Sequence, residues 1–180
     1  MAHDWRREIV RLARIKEEIQ ASDKSGLWEY RLPGVAATPD ELAEVEEHLQ
    51  CRLEPQYREF LSFADGWPSF FQNVDLFGTG DLVSGPRMQI ARQSLAAIEP
   101  AVVEQAGLDA STLLPIAATA VDLDLFVTQV VDGEQRGPVV WLAGAEIDRF
   151  ATFEDFVLAM IEYNARELEV VKSQLHPGSP

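Results

Sequence analysis

One cysteine, Cys51, stands in the whole sequence, so no disulfide can form within the chain and paired-thiol chemistry is excluded. Cys51 falls at the end of a helical pattern with only His48 nearby, which suits an inert thiol better than a nucleophile. No apolar run approaches the roughly 20 residues that a membrane-spanning helix needs. The opening MAHDWRREIV lacks the uninterrupted apolar core of a secretory signal, and cytoplasmic residence is the expectation. Histidine is scarce too: His3, His48 and His176 are scattered, and none has the i, i+4 companion of a zinc-protease helix. Gly78-Thr79-Gly80 leads to neither further glycines nor a Gly-Lys-Ser/Thr ending, so a phosphate loop is not expected. Ser62, Ser84, Ser94 and Ser111 lack a nucleophile-elbow context. The expectation is a non-enzyme with no cofactor and no metal.

Basic residues are the other shortage. Fifteen Lys and Arg stand against thirty Asp and Glu, a net charge of −15, which repels phosphate and disfavours direct nucleic acid or anionic membrane as partners. A basic partner is the converse; the bland alternative is that the charge only maintains solubility. Carboxylates are plentiful, yet an acid/base pair needs two held in different environments, and abundance alone supplies none. Asp122 and Asp124 alternate with Leu123 and Leu125, the pattern of a strand's polar face.

What is present is an apolar fraction of 47% in 180 residues, enough for one well-buried core. The most legible stretch runs from Thr38 to Trp67. Thr38, Pro39 and Glu41 make a capping-box start, and Leu42, Val45 and Leu49 give the following helix one apolar stripe under an acidic face. A second helix begins near Pro55, with Tyr57, Phe60, Leu61 and Ala64 on one side, and Asp65-Gly66 stops it, leaving Trp67 at a turn.

Upstream, Asp4 to about Gln20 has a helical stripe of Trp5, Ile9, Leu12, Ile15 and Ile19, interleaved with Arg6, Arg7, Arg11, Arg14 and Lys16. Glu8, Glu17 and Glu18 dilute its basic face, so docking on the acidic helix is favoured over a membrane surface. Ser22 to Ala37 is a connector broken by Gly26 and Pro33-Gly34, with a brief strand expected at Leu27 to Leu32. Phe70 to Phe77 suggests one strand, and Gly78 to Asp81 a turn leaving it. Helical character returns from Pro86 to Ala106 in two pieces divided at Pro100, with Gly107 closing the second. Three strands are expected at Leu113 to Ala117, Leu123 to Val131 and Pro138 to Leu142, the last two paired antiparallel. Thr152 caps a final helix whose apolar face is Phe153, Phe156, Val157, Met160 and Ile161; it is expected to reach about Lys172 and to be a partner for the N-terminal helix.

The run Leu53, Pro55, Tyr57, Phe60-Leu61 and Asp65-Gly66 resembles the opening of the SUKH superfamily, which includes fungal cell-wall regulators of the Smi/Knr type and bacterial toxin-immunity proteins. Weaker likeness continues through Leu76-Phe77-Gly78, Leu114-Pro115-Ile116-Ala117, Leu125-Phe126-Val127, Val139-Val140-Trp141 and Phe153-Glu154-Asp155-Phe156. Two positions depart from the family pattern: Glu54 separates Leu53 from Pro55, and Asp65 replaces the usual asparagine. The resemblance implies a binding protein. Immunity against a cognate toxin, basic and of nuclease type to suit the charge, is the favoured expectation, and a regulatory scaffold the alternative.

The expected fold is α+β, a central mainly antiparallel sheet flanked by helices, SUKH-like, with an additional N-terminal helix. Residues 1–37 are expected to hold that helix and the connector, 38–172 the SUKH-like domain, and 173–180 a flexible tail. For the partner-binding site the sequence offers Asp65, Trp67, Phe70, Asp75 and Asp81, with Phe71 beside them. Two readings of the rings are open: buried core, or an exposed rim that anchors a basic protein surface while the acids steer its approach.

Overall fold

The computed structural model describes residues 3–175. Helix α1, Trp5–Ser22, starts at Asp4, whose carboxylate accepts from Arg7 N at 3.2 Å. Helix α2, Pro39–Leu49, has the full reciprocal box: Thr38 N donates to Glu41 Oε2 at 2.7 Å and Glu41 N to Thr38 Oγ1 at 3.3 Å. Both bonds satisfy donors that a helix start otherwise leaves to water. Thr38→Ala should therefore cost about 1 kcal/mol, measured as a lower urea midpoint at unchanged slope. Helix α3, Pro55–Leu61, is capped by Glu54, which accepts from Tyr57 N at 2.8 Å. It ends in a turn that carries the chain to Gly66, where φ of +74° requires glycine.

Six strands follow in a meander, β1 Trp67–Phe71, β2 Val74–Leu76, β3 Leu113–Ala118, β4 Leu125–Val131, β5 Glu134–Leu142 and β6 Glu146–Phe150, each antiparallel to the next. Between β2 and β3 lie α4 Thr79–Ser84, α5 Pro86–Ala97 and α6 Pro100–Gln105, and the chain closes with α7, Phe153–Leu175. The α+β class, the antiparallel sheet and the extra N-terminal helix are as expected.

Several elements differ from expectation. The single strand expected over Phe70 to Phe77 is a hairpin, because Gln72, with φ of +50°, folds Phe71 back onto Val74. Gly78 to Asp81 opens α4 rather than closing a strand: Asp81 Oδ2 accepts from Gly78 N at 3.2 Å and supplies the start signal. Leu27 to Leu32 forms no strand; Asp23 Oδ2 takes the Leu27 and Trp28 N–H groups, and no ladder partner runs alongside. β4 begins only at Leu125, so Asp122 and Asp124 precede the strand, and Asp124 accepts the Trp141 indole N–H at 2.7 Å. β6 carries Glu146, Asp148 and Arg149 in five residues, a charged edge strand with little apolar alternation to betray it. α7 continues to Leu175, past the expected boundary at 172, and the rest of the expected tail, 176–180, lies outside the described residues.

α7 lies across β1, β5 and β6, while α5 covers β3 and β4. With both faces covered, Leu125, Phe126, Val127 and Thr128 are all buried. α1 packs along α7 rather than on the acidic α2, with Arg11 to Glu162 at 2.7 Å and Lys172 to Glu18 at 2.8 Å on the outside. On the inside the Trp5 ring meets Phe60 and Phe153, and its indole N–H donates to Glu59 at 3.0 Å. Apolar fit between α1 and α7 is the reason for this choice, since exposed ion pairs contribute little by comparison.

Candidate functional site

The hairpin β1–β2 and the start of α4 bring the expected site residues together. Trp67 and Phe70 are fully buried and Phe71 nearly so. The Trp67 indole donates to Arg31 O at 2.8 Å, and the Phe70 ring packs on Phe156 with centroids 5.8 Å apart. A register shift in β1, with Ser69 at φ of +52°, breaks the strand alternation, and with α7 packed over the strand all three rings are buried, so they are core and present no face to a partner.

The three aspartates hold the same hairpin in place. Asp65 accepts from Thr79 N through Oδ1 and from Thr79 Oγ1 through Oδ2, both at 2.6 Å, tying the end of the α3 turn to the start of α4. Asp75 Oδ1 accepts from Ser69 N at 2.7 Å across the hairpin. Arg87 on α5 joins the other two, with Nε 2.7 Å from Asp75 Oδ2 and a guanidinium nitrogen 3.4 Å from Asp81. Gly78 passes so close to the Asp65 backbone that a Cβ there would lie 2.6 Å from its carbonyl oxygen. Beneath them Tyr57 donates its hydroxyl to Phe77 O at 2.7 Å, and burial, with Asp81 and Asp65 nearby, pushes the phenol far above its ordinary range. These carboxylates are only partly exposed and already engaged.

Exposed apolar groups lie beside this edge instead, on the connector. Gly34 N donates to Gly66 O at 2.9 Å, which leaves Val35 91% exposed; Leu27 and Leu32 also face solvent. A hollow of about 540 Å³ opens between the connector and Pro68, lined by Trp28, Tyr30 and Leu32 among others. The outer face of α2 presents Asp40, Glu44 and Glu47, none of which forms a salt bridge among the described residues; Glu46 is held by Arg58 at 3.3 Å. The available signal for this surface was weak: apolar residues in a segment broken by glycine and proline, with no period to bury them.

No group of three or more metal-ligating side chains occurs among the described residues, and no helix among them is long and apolar enough to cross a membrane. Cys51 is buried, and desolvation together with Glu46 pushes its thiol pKa up, away from the reactive thiolate. Asp124 is also pushed up, by burial first and by Asp122, against the lowering effect of the Trp141 N–H.

Comparison with known families gives one finding. The profile of the SMI1 / KNR4 family (SUKH-1) matches residues 36–159, about two thirds of the chain, from just before α2 to the second turn of α7. Helix α1 and most of α7 lie outside the matched segment. No curated protein matches the chain.

Proposed function

The chain belongs to the SMI1 / KNR4 family (SUKH-1), and from that premise we propose that it is a non-enzymatic binding protein that neutralises a cognate toxin domain by covering its active surface. Family membership carries this reading. The net charge of −15 supports it and points to a basic partner of nuclease type, because an acidic surface attracts such a domain and occupies the place of nucleic acid. Asp40, Glu44 and Glu47 on α2, which form no salt bridge among the described residues, supply most of the steering field, and Asp75 and Asp81 together retain one negative charge beyond that of Arg87. Asp65 contributes charge while holding Thr79. Trp67 and Phe70 act only from the core, by keeping that edge rigid. Family membership equally supports a regulatory scaffold of the Smi/Knr type with several endogenous partners.

Co-expression with each toxin domain found encoded near the gene separates the two. Survival that depends on this protein supports immunity, and killing despite soluble expression overturns it for that pair. Steering also predicts a kinetic result. Raising ionic strength to about 0.5 M should slow association at least tenfold and change dissociation far less, since exposed charges are screened beyond a few ångströms there. An association rate indifferent to salt would remove the electrostatic part of the proposal.

A further inference from the structure

A second apolar surface lies where the end of α5 meets the β3–β4 and β5–β6 loops. Val121 and Leu123 on the β3–β4 loop are 75% and 65% exposed. Leu123 borders an open groove of about 460 Å³ with Ala97, Ile98, Glu99 and Gly144. Aliphatic side chains this exposed lose contact with water only if something else covers them.

The loop that carries them is fixed. Thr119 N donates to Asp124 O at 3.1 Å, Val121 N to Thr119 Oγ1 at 3.2 Å and Leu123 N to Asp122 Oδ1 at 2.8 Å. The Trp141 indole anchors Asp124, and Ala143 N closes the facing loop onto Ala145 O at 2.9 Å. Little ordering entropy therefore remains to be lost when a partner arrives.

Charge identifies that partner's chemistry. Glu99 lines the groove, Asp122 and Asp124 flank Leu123, and no Lys or Arg is among the described residues that line it. An apolar centre inside an acidic rim complements a basic surface that projects an aliphatic or aromatic side chain. We propose that the groove between α5 and the β3–β4 loop is the anchoring site for a basic protein partner, whose apolar side chain seats against Ile98 and Leu123. This rests on the partner-binding reading above and names the surface that carries it.

The test uses the full chain and the toxin domain against which it protects in co-expression, with binding followed by surface kinetics. Leu123→Asp adds negative charge to the rim, so steering alone predicts equal or faster association. Anchoring predicts the opposite balance: Kd higher on the order of 30-fold through faster dissociation. Val121→Asp should act in the same direction, and Val35→Asp tests the competing connector surface: with the anchor in the groove it should change Kd by less than about threefold. Unchanged melting of all three variants keeps the comparison one of binding, as their exposed positions lead one to expect. If the wild type binds and Leu123→Asp binds as tightly, the groove is overturned and the partner-binding reading stands. If Val35→Asp alone loses binding, the partner sits on the connector and the groove is again overturned. Failure of the wild type to bind overturns both.

Discussion

Phe156→Ala should lower unfolding free energy by about 3 to 5 kcal/mol, the range for removing a buried aromatic ring from a core that cannot close behind it. Phe156 is fully buried on the inner face of α7 and stands among four other rings: Phe126 at 5.2 Å, Phe150 at 5.6 Å, Phe153 at 5.7 Å and Phe70 at 5.8 Å between centroids. These neighbours belong to β4, β6, α7 and β1, so the ring joins α7 to the middle and both edges of the sheet. Rings held by three strands cannot all shift toward one vacancy, which favours the upper part of the range. Urea denaturation decides: the midpoint should fall sharply with little change in slope. A loss under about 1 kcal/mol would mean that the site collapses freely and that α7 is not fixed to the sheet through this residue.

The inner face of α7 was legible because Phe153, Phe156, Val157, Met160 and Ile161 repeat at helical spacing after a capping threonine, and all five are buried. The capping box at Thr38 was legible for a similar reason: its three signals are local and need no knowledge of the rest of the chain. What the sequence left open depended on long-range packing. Trp67 and Phe70 were placed beside acids in a turn-rich stretch, a composition common to binding rims and to tight hairpins. Only the arrival of α7 and the reach of the indole to Arg31 O decide between them. The acids carried the same ambiguity: Asp65 and Asp75 accept from Thr79 and Ser69, and nothing in the chain order announces those donors. β6 went unseen because a short charged edge strand takes its place from β5, its antiparallel neighbour. Leu123 fits a strand pattern in the sequence, but the tie of Asp124 to Trp141 holds it outside β4.

Lys16→Met should make the protein more stable at neutral pH, the reverse of what losing a charged residue from an ion pair would do. Lys16 lies on the stripe of α1 that faces α7 and is only 4% exposed, with no salt-bridge partner among the described residues. It borders a small cavity shared with Asn164, Gln72 and Glu167, but Glu167 is already engaged by the Trp28 indole at 2.8 Å. Burial lowers the ammonium pKa from its ordinary 10.5 to about 8. At pH 7 both folded and unfolded chains hold the proton, and the folded chain bears the full cost of a desolvated charge. Between about 8 and 10.5 the folded chain has released a proton that the unfolded chain still binds, so stability rises with pH through that window. The gap corresponds to roughly 3 kcal/mol as an upper figure, and methionine fills a similar volume with flexible apolar atoms, so a gain of about 2 kcal/mol at pH 7 is expected. The difference between variant and wild type should fall by more than half at about pH 9.5, which subtracts every other group that titrates there. Denaturation of both proteins at the two pH values measures it. A variant that is less stable at pH 7 would show that the buried ammonium stabilises α1 on α7, and a difference from wild type that does not change with pH would show that burial leaves its titration unshifted.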